Sequence, residues 1–176
     1  VESPEFLRVL KEARGIWFGG GRQWRFVDAY ENTKAYPLLH DVLRRGGVIG
    51  GSSAGASIQG DYLARGNPLG NVDIMAAGYE RGFGFLGGVA IDQHFSQRNR
   101  FVDMASLVKR YPQILGIGID EATALIVKGR QGEIRGPGQV HFFDSTAPAQ
   151  PNSAEYLSLA AGQAYDLSKR RIVQPR

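Results

Sequence analysis

The sequence predicts an α/β fold, with a parallel sheet covered by helices and a β-rich C-terminal extension. Short apolar runs alternate with helical segments through the first two thirds of the chain, which favours parallel strands joined by helices. Short strand-like pieces separated by turn residues follow Val127 and favour hairpins. The chain has 176 residues, of which 43% are hydrophobic and 22% charged, so we expect residues 1–176 to form one globular domain.

The first third of the chain predicts a helix, a strand and two more helices. Ser3–Glu5 supplies an N-cap, a first-turn proline and an early acid, so a helix begins here and ends at Gly15. Ile16–Phe18 is a short apolar run closed by three glycines, as expected of a buried strand that leads into a loop. Phe26–Tyr30 and Leu38–Leu43 have the apolar spacing of helices, and the second is stopped by "RRG".

The alternation continues through the middle of the chain. In order, we expect a strand at Val48–Ile49, a helix at Ala56–Ala64, a glycine-rich loop at Gly66–Gly88, a strand at Val89–Ile91, a helix at Ser96–Arg110 and a strand at Leu115–Ile119. Glu133–Arg135 and Val140–Phe143 are short strands of the extension, and a polar tail ends the chain. In open α/β sheets, sites form at the carboxyl ends of strands. The functional loops are therefore expected after Phe18, Ile49, Ile91 and Ile119.

Composition and charge narrow the class of protein. Against 17 acidic residues stand 21 Lys and Arg, a net charge of +4 that favours a solvated surface over a nucleic-acid groove. There is no apolar run of the ~20 residues that span a bilayer, and no signal segment, so we expect no membrane association. The absence of cysteine excludes thiolate zinc sites and cysteine nucleophiles. We expect a cytoplasmic location, with secretion left open because the first residue is Val and a preceding segment would be invisible.

Gly51–Gly55 fits G-x-S-x-G, the pattern of a nucleophile elbow. In that turn, between a strand and a helix, the middle serine stands above the sheet, which selects Ser53 over Ser52. Glycines are needed because the turn crowds backbone atoms, and the helix N-terminus behind it stabilises negative charge. The alternative is an N-cap serine in a glycine-rich turn.

A reactive serine needs a base, and the chain contains three histidines. His40 lies inside a predicted helix and His141 in the late β region. His94 follows the strand that contains Ile91 and falls at the sheet edge where the serine turn is expected. A structural role is the alternative for a lone histidine, but the position of His94 favours a base.

A carboxylate should orient the imidazole. Asp120 and Glu121 follow the strand that ends at Ile119, and alternation along the strand directs only one of them to the site. Asp92 and Asp73 are further candidates, and each of these acids has the alternative of a solvated loop carboxylate.

Backbone N–H groups would bind the oxyanion. One comes from Ala54 after the serine and another from Gly20 or Gly21, of which we take Gly21. The chain order is Ser, His, acid, whereas an α/β-hydrolase runs Ser, acid, His, so a lipase or esterase of that fold is disfavoured.

Four blocks of the sequence resemble peptidase family S51, the group of cyanophycinase and aspartyl dipeptidase. They are "IWFGGGRQ", "GGSSAGA", "IDQHFSQRNR" and "GIGIDEATALIV", in the family's order, and they cover Ile16 to Val127. The third block is most similar to the cyanophycinase branch. The resemblance implies a fold like that of class I glutamine amidotransferases, with serine in place of cysteine and a Ser-His-Glu triad.

Carried over to this chain, the resemblance makes Ser53 the nucleophile, His94 the base and Glu121 the acid. It implies no metal and no organic cofactor. The positions that in cyanophycinases surround the β-aspartyl-arginine unit are matched by Gln23, Asp92, Gln93, Arg98 and Arg100. The alternative for the two arginines is the solvated first turn of a helix.

Two residues depart from the cyanophycinase pattern. Asp103 replaces a further arginine, and Arg22 replaces the acid that precedes the glutamine of the first block. The expected substrate is therefore an aspartyl or β-aspartyl peptide, with another acidic peptide as likely as cyanophycin.

Two other functions stay open: a catalytically silent module that binds acidic peptides, and a serine acyl hydrolase that acts on a non-peptide substrate. Members of the family normally have a strand-helix unit or more before "IWFGGG", so we expect either a trimmed N-terminus or a smaller sheet. A homodimer is among the assemblies allowed.

Overall fold

The computed structural model describes residues 1–146 and 155–173 and has a mixed α/β architecture with parallel strand pairs. The chain divides into two compact units, Val1–Gly87 and Gly88–Arg176. The prediction of one domain stays a prediction. Most of the predicted turn segment "DSTAPAQPNS" and the last three residues of the chain lie outside the described residues.

The first unit joins a pair of parallel strands to four helices. Its elements are α1 (Pro4–Glu12), β1 (Gly15–Phe18), α2 (Gln23–Tyr30), α3 (Ala35–Arg44), β2 (Val48–Gly51), α4 (Ala54–Ser57) and β3 (Gly60–Tyr62). The predicted start of α1 is confirmed, because the Ser3 side chain accepts a hydrogen bond from the Phe6 N–H. Strands β1 and β2 run parallel, with Phe18 paired to Gly51, so their carboxyl ends lie at the same edge.

Strands β1 and β2 pack on one face only. Phe18 is buried, and Ile16 and Ile49 pack against the same apolar cluster. The opposite face is open, where Trp17 and Val48 are each 70% exposed. The prediction of a buried strand at Ile16–Phe18 is therefore wrong for Trp17, because alternate side chains of a strand point to opposite faces.

The predicted helix Ala56–Ala64 is wrong in its extent. Helix α4 ends at Ser57, and the backbone then accepts hydrogen bonds from a later segment of the same unit. The carbonyls of Ile58, Gln59, Gly60 and Asp61 bond to the N–H groups of Phe83, Leu86, Gly84 and Gly82. From Gly60 onward the backbone is therefore a strand that bonds to another segment, and not a helix bonded to itself, although the residue types in Ala56–Ala64 favour a helix.

The predicted irregular loop Gly66–Gly88 is confirmed as far as Phe85, and two arginines organise it. Buried Arg65 donates to the carbonyls of Asn71 and Val72. Arg22 donates to the carbonyls of Asn67 and Gly70, at 2.7 Å each. Because the loop carbonyls have side-chain donors, the segment holds its shape without regular structure.

The described part of the second unit contains two sheets and one long helix. Its elements are β4 (Leu86–Gln93, of which the first two residues belong to the first unit), a 3₁₀ turn (Ser96–Arg98), α5 (Phe101–Arg110), β5 (Leu115–Ile119), β6 (Ala124–Lys128), β7 (Gln131–Arg135), β8 (Gln139–Phe143), β9 (Leu157–Ala160), β10 (Ala164–Asp166) and β11 (Arg171–Ile172). Strands β4 and β5 are parallel, and β8 and β9 extend their sheet antiparallel. The other sheet is antiparallel in the order β11-β10-β7-β6.

Three predictions for this unit need correction. The helix predicted from Ser96 begins at Phe101, because Asn99 has a left-handed φ of 49° that interrupts it. The "GPG" segment does not close a hairpin: β7 pairs with β6 and β10, while β8 pairs with β5 and β9. The predicted polar tail contains three short strands, which add to the edges of these two sheets.

Candidate active site

Ser53 occupies a strained turn between β2 and α4. Its φ of 54° and ψ of −121° lie outside the regions that residues with a side chain ordinarily adopt. Such strain persists only where the surrounding structure determines it, and it concentrates at functional sites. The location between a strand and a helix is the one that the elbow pattern predicts.

The two outer glycines of the motif are required by close backbone contacts. A Cβ on Gly51 would stand 2.2 Å from the carbonyl oxygen of Gly55. A Cβ on Gly55 would stand 2.0 Å from the carbonyl oxygen of Phe18, at the end of β1. Both distances are far below contact distance, so the spacing of the motif follows from the geometry of the turn.

The glycine loop after β1 lies against the Ser53 side chain. A Cβ on Gly20 would be 3.5 Å from Ser53 Cβ and 4.0 Å from its Oγ. Gly21 follows with a φ of 136°, which favours glycine. Ala54 opens α4, so its N–H has no partner within the helix. Because α4 has only four residues, local N–H groups rather than a long helix dipole would stabilise negative charge here.

His94 and Glu121 form a hydrogen-bonded pair at the ends of β4 and β5. His94 Nδ1 lies 2.7 Å from Glu121 Oε1, with side chains that are 26% and 53% exposed. A carboxylate at this distance holds the proton on Nδ1 and leaves Nε2 as the basic nitrogen of the ring. Asp120, the preceding residue, has other partners, as the alternation argument expected.

Asp120 is buried and accepts backbone hydrogen bonds from the loop after β4 and from the first residue of β8. Its Oδ1 accepts from the Ser96 N–H at 3.0 Å, and its Oδ2 accepts from the Gln139 N–H at 3.1 Å. Burial by itself raises the pKa of Asp120, but hydrogen bonds from Ser96 and Gln139 outweigh it and lower the pKa below the ordinary value. Asp120 is therefore a carboxylate that stays ionised inside the fold.

His141 joins the same buried network. Its Nε2 lies 3.1 Å from Ser96 Oγ and 3.4 Å from Asp120 Oδ1, and its Nδ1 lies 2.7 Å from Ser158 Oγ. Burial lowers the pKa of His141, and the nearby Asp120 only partly opposes this. Sequence reasoning assigned no role to this histidine. The available signal was a polar residue in the apolar run "VHFF", which implies a buried partner.

The predicted substrate-binding residues differ in exposure. Asp92 and Arg100 are buried and paired at 2.6 Å, and Arg100 also donates to the Gln93 carbonyl at 2.7 Å. The alternative of a solvated helix turn is thus wrong for Arg100, whereas Arg98 is exposed in the 3₁₀ turn. Gln93 is buried at the end of β4, and Gln23 is buried at the start of α2.

The candidate residues belong to both units. The first unit carries Gln23, Ser53 and the two expected oxyanion donors, Gly21 and Ala54; the second carries the remaining candidates. Of the other acids considered, Asp73 is exposed in the loop of the first unit and Asp92 is engaged by Arg100.

Within residues 1–146 and 155–173, no three His, Asp or Glu side chains are grouped to hold a metal ion. The same residues contain no helix long and apolar enough to cross a membrane.

Comparison with known proteins places these features in a family. The chain is 33% identical over 164 residues to a cyanophycinase of Synechococcus elongatus, covering 91% of this chain and 49% of the relative. It is 31% identical over 154 residues to a cyanophycinase of Geminocystis herdmanii, covering 86% and 57%. The chain thus spans about half the length of the curated relatives it matches.

A solved peptidase structure is also similar to this chain. The crystal structure of a peptidase from an acI-B1 Actinobacterium matches with a TM-score of 0.66 at 26% identity, covering 93% of this chain and 64% of that one. The sequence model of peptidase family S51 matches residues 2–135, which include the strained serine turn and the His94–Glu121 pair. The chain therefore belongs to peptidase family S51.

Proposed function

We propose that this chain is a serine-type peptidase that hydrolyses aspartyl or β-aspartyl peptide bonds through an acyl-enzyme. One observation carries the proposal: Ser53 has the strained backbone of a nucleophile elbow, between two glycines that admit no side chain. Membership of family S51 and the His94–Glu121 hydrogen bond support it. The arrangement of class I glutamine amidotransferases is part of the same proposal.

In the proposed mechanism, Nε2 of His94 takes the proton from Ser53 Oγ as that oxygen attacks the peptide carbonyl. The N–H groups of Gly21 and Ala54 donate to the oxyanion of the tetrahedral intermediate. Imidazolium formed at His94 is stabilised by the Glu121 carboxylate and then protonates the leaving amine, which leaves an ester on Ser53. Water, deprotonated by His94, hydrolyses that ester and restores the serine. No step requires a metal or an organic cofactor.

The substrate proposal rests on the exposed guanidinium of Arg98 and on membership of family S51. Arg98 is exposed beside the His94 loop, and a guanidinium binds carboxylates with two parallel hydrogen bonds. The relatives are named cyanophycinases, whereas Asp103 and Arg22 are the two positions at which the resemblance of this sequence to the cyanophycinase branch fails. Arg22 is also engaged by the carbonyls of Asn67 and Gly70, which withdraws it from a role in binding substrate. We therefore propose dipeptides with an aspartyl or isoaspartyl residue as the substrate class.

The test compares Ser53→Ala with Ser52→Ala, the same change at the adjacent residue. The assay uses β-aspartyl-arginine, an α-aspartyl dipeptide and a p-nitrophenyl ester. Ser53→Ala should lower kcat/KM on the dipeptides by about ten-thousandfold, while Ser52→Ala should stay within a few-fold of wild type.

Each other outcome has a definite meaning. Equal hydrolysis by Ser53→Ala and wild type would exclude Ser53 as the nucleophile. Binding of dipeptides by calorimetry without turnover would identify a silent binding module. Hydrolysis of the ester alone would identify an acyl hydrolase of non-peptide substrates.

A further inference from the structure

We infer that Asp120 is a positioning residue for the His94–Glu121 pair, acting together with Ser96 and His141. Its part in catalysis rests on the proposed function, but its effect on the His94 ring does not require turnover. Sequence reasoning assigned Asp120 no role except as an alternative to Glu121 for the acid beside His94. In the structure the two acids have different partners, His94 for Glu121 and Ser96 for Asp120.

The His94–Glu121 pair needs support from elsewhere in the unit. His94 has a φ of 50°, and Ala122, the residue after Glu121, has a φ of 53°. Both conformations are disfavoured for residues with a side chain. More than half of the Glu121 side chain is exposed, and exposed charged pairs are weak on their own. Strained backbone on both sides persists only if surrounding contacts fix it.

Hydrogen bonds join the loop after β4 to the loop after β5. Besides the His94–Glu121 contact, three hydrogen bonds with backbone N–H donors join these segments. They are Phe95 N–H to the carbonyl of Ile119, the last residue of β5, at 3.2 Å, Ser96 N–H to Asp120 Oδ1 at 3.0 Å, and Glu121 N–H to Gln97 Oε1 at 3.1 Å. The bond to Asp120 is the only one of these three that uses a buried, ionised side chain as acceptor. Charge-assisted hydrogen bonds are the stronger kind, so Asp120 contributes most to this connection.

The Asp120 side chain is itself fixed by the start of β8. Its Oδ2 accepts from the Gln139 N–H, and its own N–H donates to the Gln139 carbonyl at 3.1 Å. Gly138 packs so closely that a Cβ there would be 2.8 Å from Asp120 Cβ. These contacts hold the Asp120 carboxylate against the start of β8. From that position it binds the Ser96 N–H and so connects the loop after β4 to the loop after β5.

His141 completes the network without forming a second catalytic triad. In a triad the serine and the acid bind different ring nitrogens. Here Ser96 and Asp120 both approach Nε2, and Nδ1 faces Ser158. One assignment of protons satisfies every group: Ser158 donates to Nδ1, Nε2–H donates to Ser96 Oγ, and the Ser96 hydroxyl donates to Asp120. The role that fits this geometry is to hold Asp120 and Ser96 in place.

The test measures the tautomer of His94 by ¹⁵N NMR of the ring nitrogens, with wild type and all variants recorded at the same pH of about 8. In wild type the proton should reside on Nδ1, held there by Glu121. Glu121→Gln supplies the reference pattern for a lost carboxylate. Asp120→Asn replaces one acceptor oxygen by an NH₂ group, which would face the N–H donor of Ser96 or Gln139. The loops that carry His94 and Glu121 should then separate, and the His94 ring-nitrogen signals should shift toward the Glu121→Gln pattern.

Asp144→Asn is the matched control. Asp144 is a mostly buried carboxylate of the same unit whose pKa is also lowered, and its partners are Thr146 and Arg170. This variant should lose stability and keep the wild-type His94 pattern. Ser96→Ala is the second variant, needed in case Asp120→Asn fails to fold. Ser96 is exposed, and the variant keeps the backbone hydrogen bond to Asp120, so it should shift the His94 signals less than Asp120→Asn does. Wild-type patterns in Ser96→Ala and in any folded Asp120→Asn would overturn the inference.

Kinetics on β-aspartyl-arginine separate this inference from the proposed function. Asp120→Asn should lower kcat by about a hundredfold with KM little changed, and its effect should be less than additive with that of Glu121→Gln. An unchanged His94 pattern together with an inactive Ser53→Ala would reject the positioning role alone. A shifted pattern together with an active Ser53→Ala would reject the proposed function alone.

Discussion

Asp120 and Glu121 are neighbours of the same chemical type with different environments. Glu121 is largely exposed and contacts the His94 ring, whereas Asp120 is buried among backbone N–H donors. The environment of a carboxylate decides what it does, because burial and hydrogen bonds set which form is stable. At the scale of residues, we therefore assign Glu121 to the imidazole and Asp120 to the loops that carry it.

His141 makes the stability of the protein depend on pH. Its pKa is lowered from 6.5, mainly by burial, so the unfolded chain binds its proton at a higher pH than the folded chain does. The contribution of His141 to folding is then complete above pH 6.5 and is lost as the pH falls below that value. The free energy of unfolding should decrease by up to about 1.4 kcal/mol per pH unit in that window.

Urea unfolding between about pH 7.5 and 5.5, followed by circular dichroism, checks this dependence. His141→Gln should have a shallower decline than wild type, because glutamine does not titrate. The comparison between the two proteins is needed because burial also lowers the pKa of His40. Parallel curves for wild type and His141→Gln would contradict the assignment of a buried neutral histidine.

At the scale of elements, the turn between β2 and α4 gives the sharpest prediction. Gly55→Ala places a Cβ 2.0 Å from the Phe18 carbonyl oxygen, which belongs to the neighbouring strand. We expect destabilisation of about 3 kcal/mol or more and loss of hydrolysis, because the turn has to open. Thermal unfolding and dipeptide hydrolysis measure the two effects.

Gly70→Ala is the control for that substitution. A Cβ at Gly70 would meet no heavy atom within 4 Å, and this glycine has no left-handed φ. Its stability and activity should remain close to wild type. A Gly55→Ala protein with wild-type melting temperature would show that the turn is less crowded than the geometry implies.

The elements that local residue chemistry determines could be predicted from the sequence. Ser3 and Pro4 mark the start of α1, and apolar spacing located α2 and α3. The segment after Ser57 could not be predicted, because its residues suit a helix and only pairing with residues near Phe83 makes it extended. Tertiary contacts override local propensity in such cases.

At the scale of the whole molecule, the candidate site was predictable where it follows strand ends. Ser53, His94 and Glu121 each follow one of the predicted strands, and the rule for open sheets selected those loops. The Asp120–His141 network was not predictable, since it depends on β8 pairing antiparallel to β5, which no local pattern specifies. The burial of Asp92 and Arg100 also could not be predicted. A continuous helix from Ser96 would place Arg100 in a solvated first turn, whereas the break at Asn99 makes Arg100 the residue before α5, where it pairs with Asp92.

The proposed mechanism uses groups from both compact units, so its central claim concerns Ser53 and His94 together. A fluorophosphonate probe that modifies activated serines tests this claim directly, with the modified residue located by peptide mass spectrometry. His94→Gln removes the base, and His40→Gln makes the same change at a helix histidine packed against Tyr36 and Phe85. Labelling should occur at Ser53, should slow by about a hundredfold or more in His94→Gln, and should be unchanged in His40→Gln. Modification of a different residue, or equal labelling rates in wild type and His94→Gln, would contradict the account.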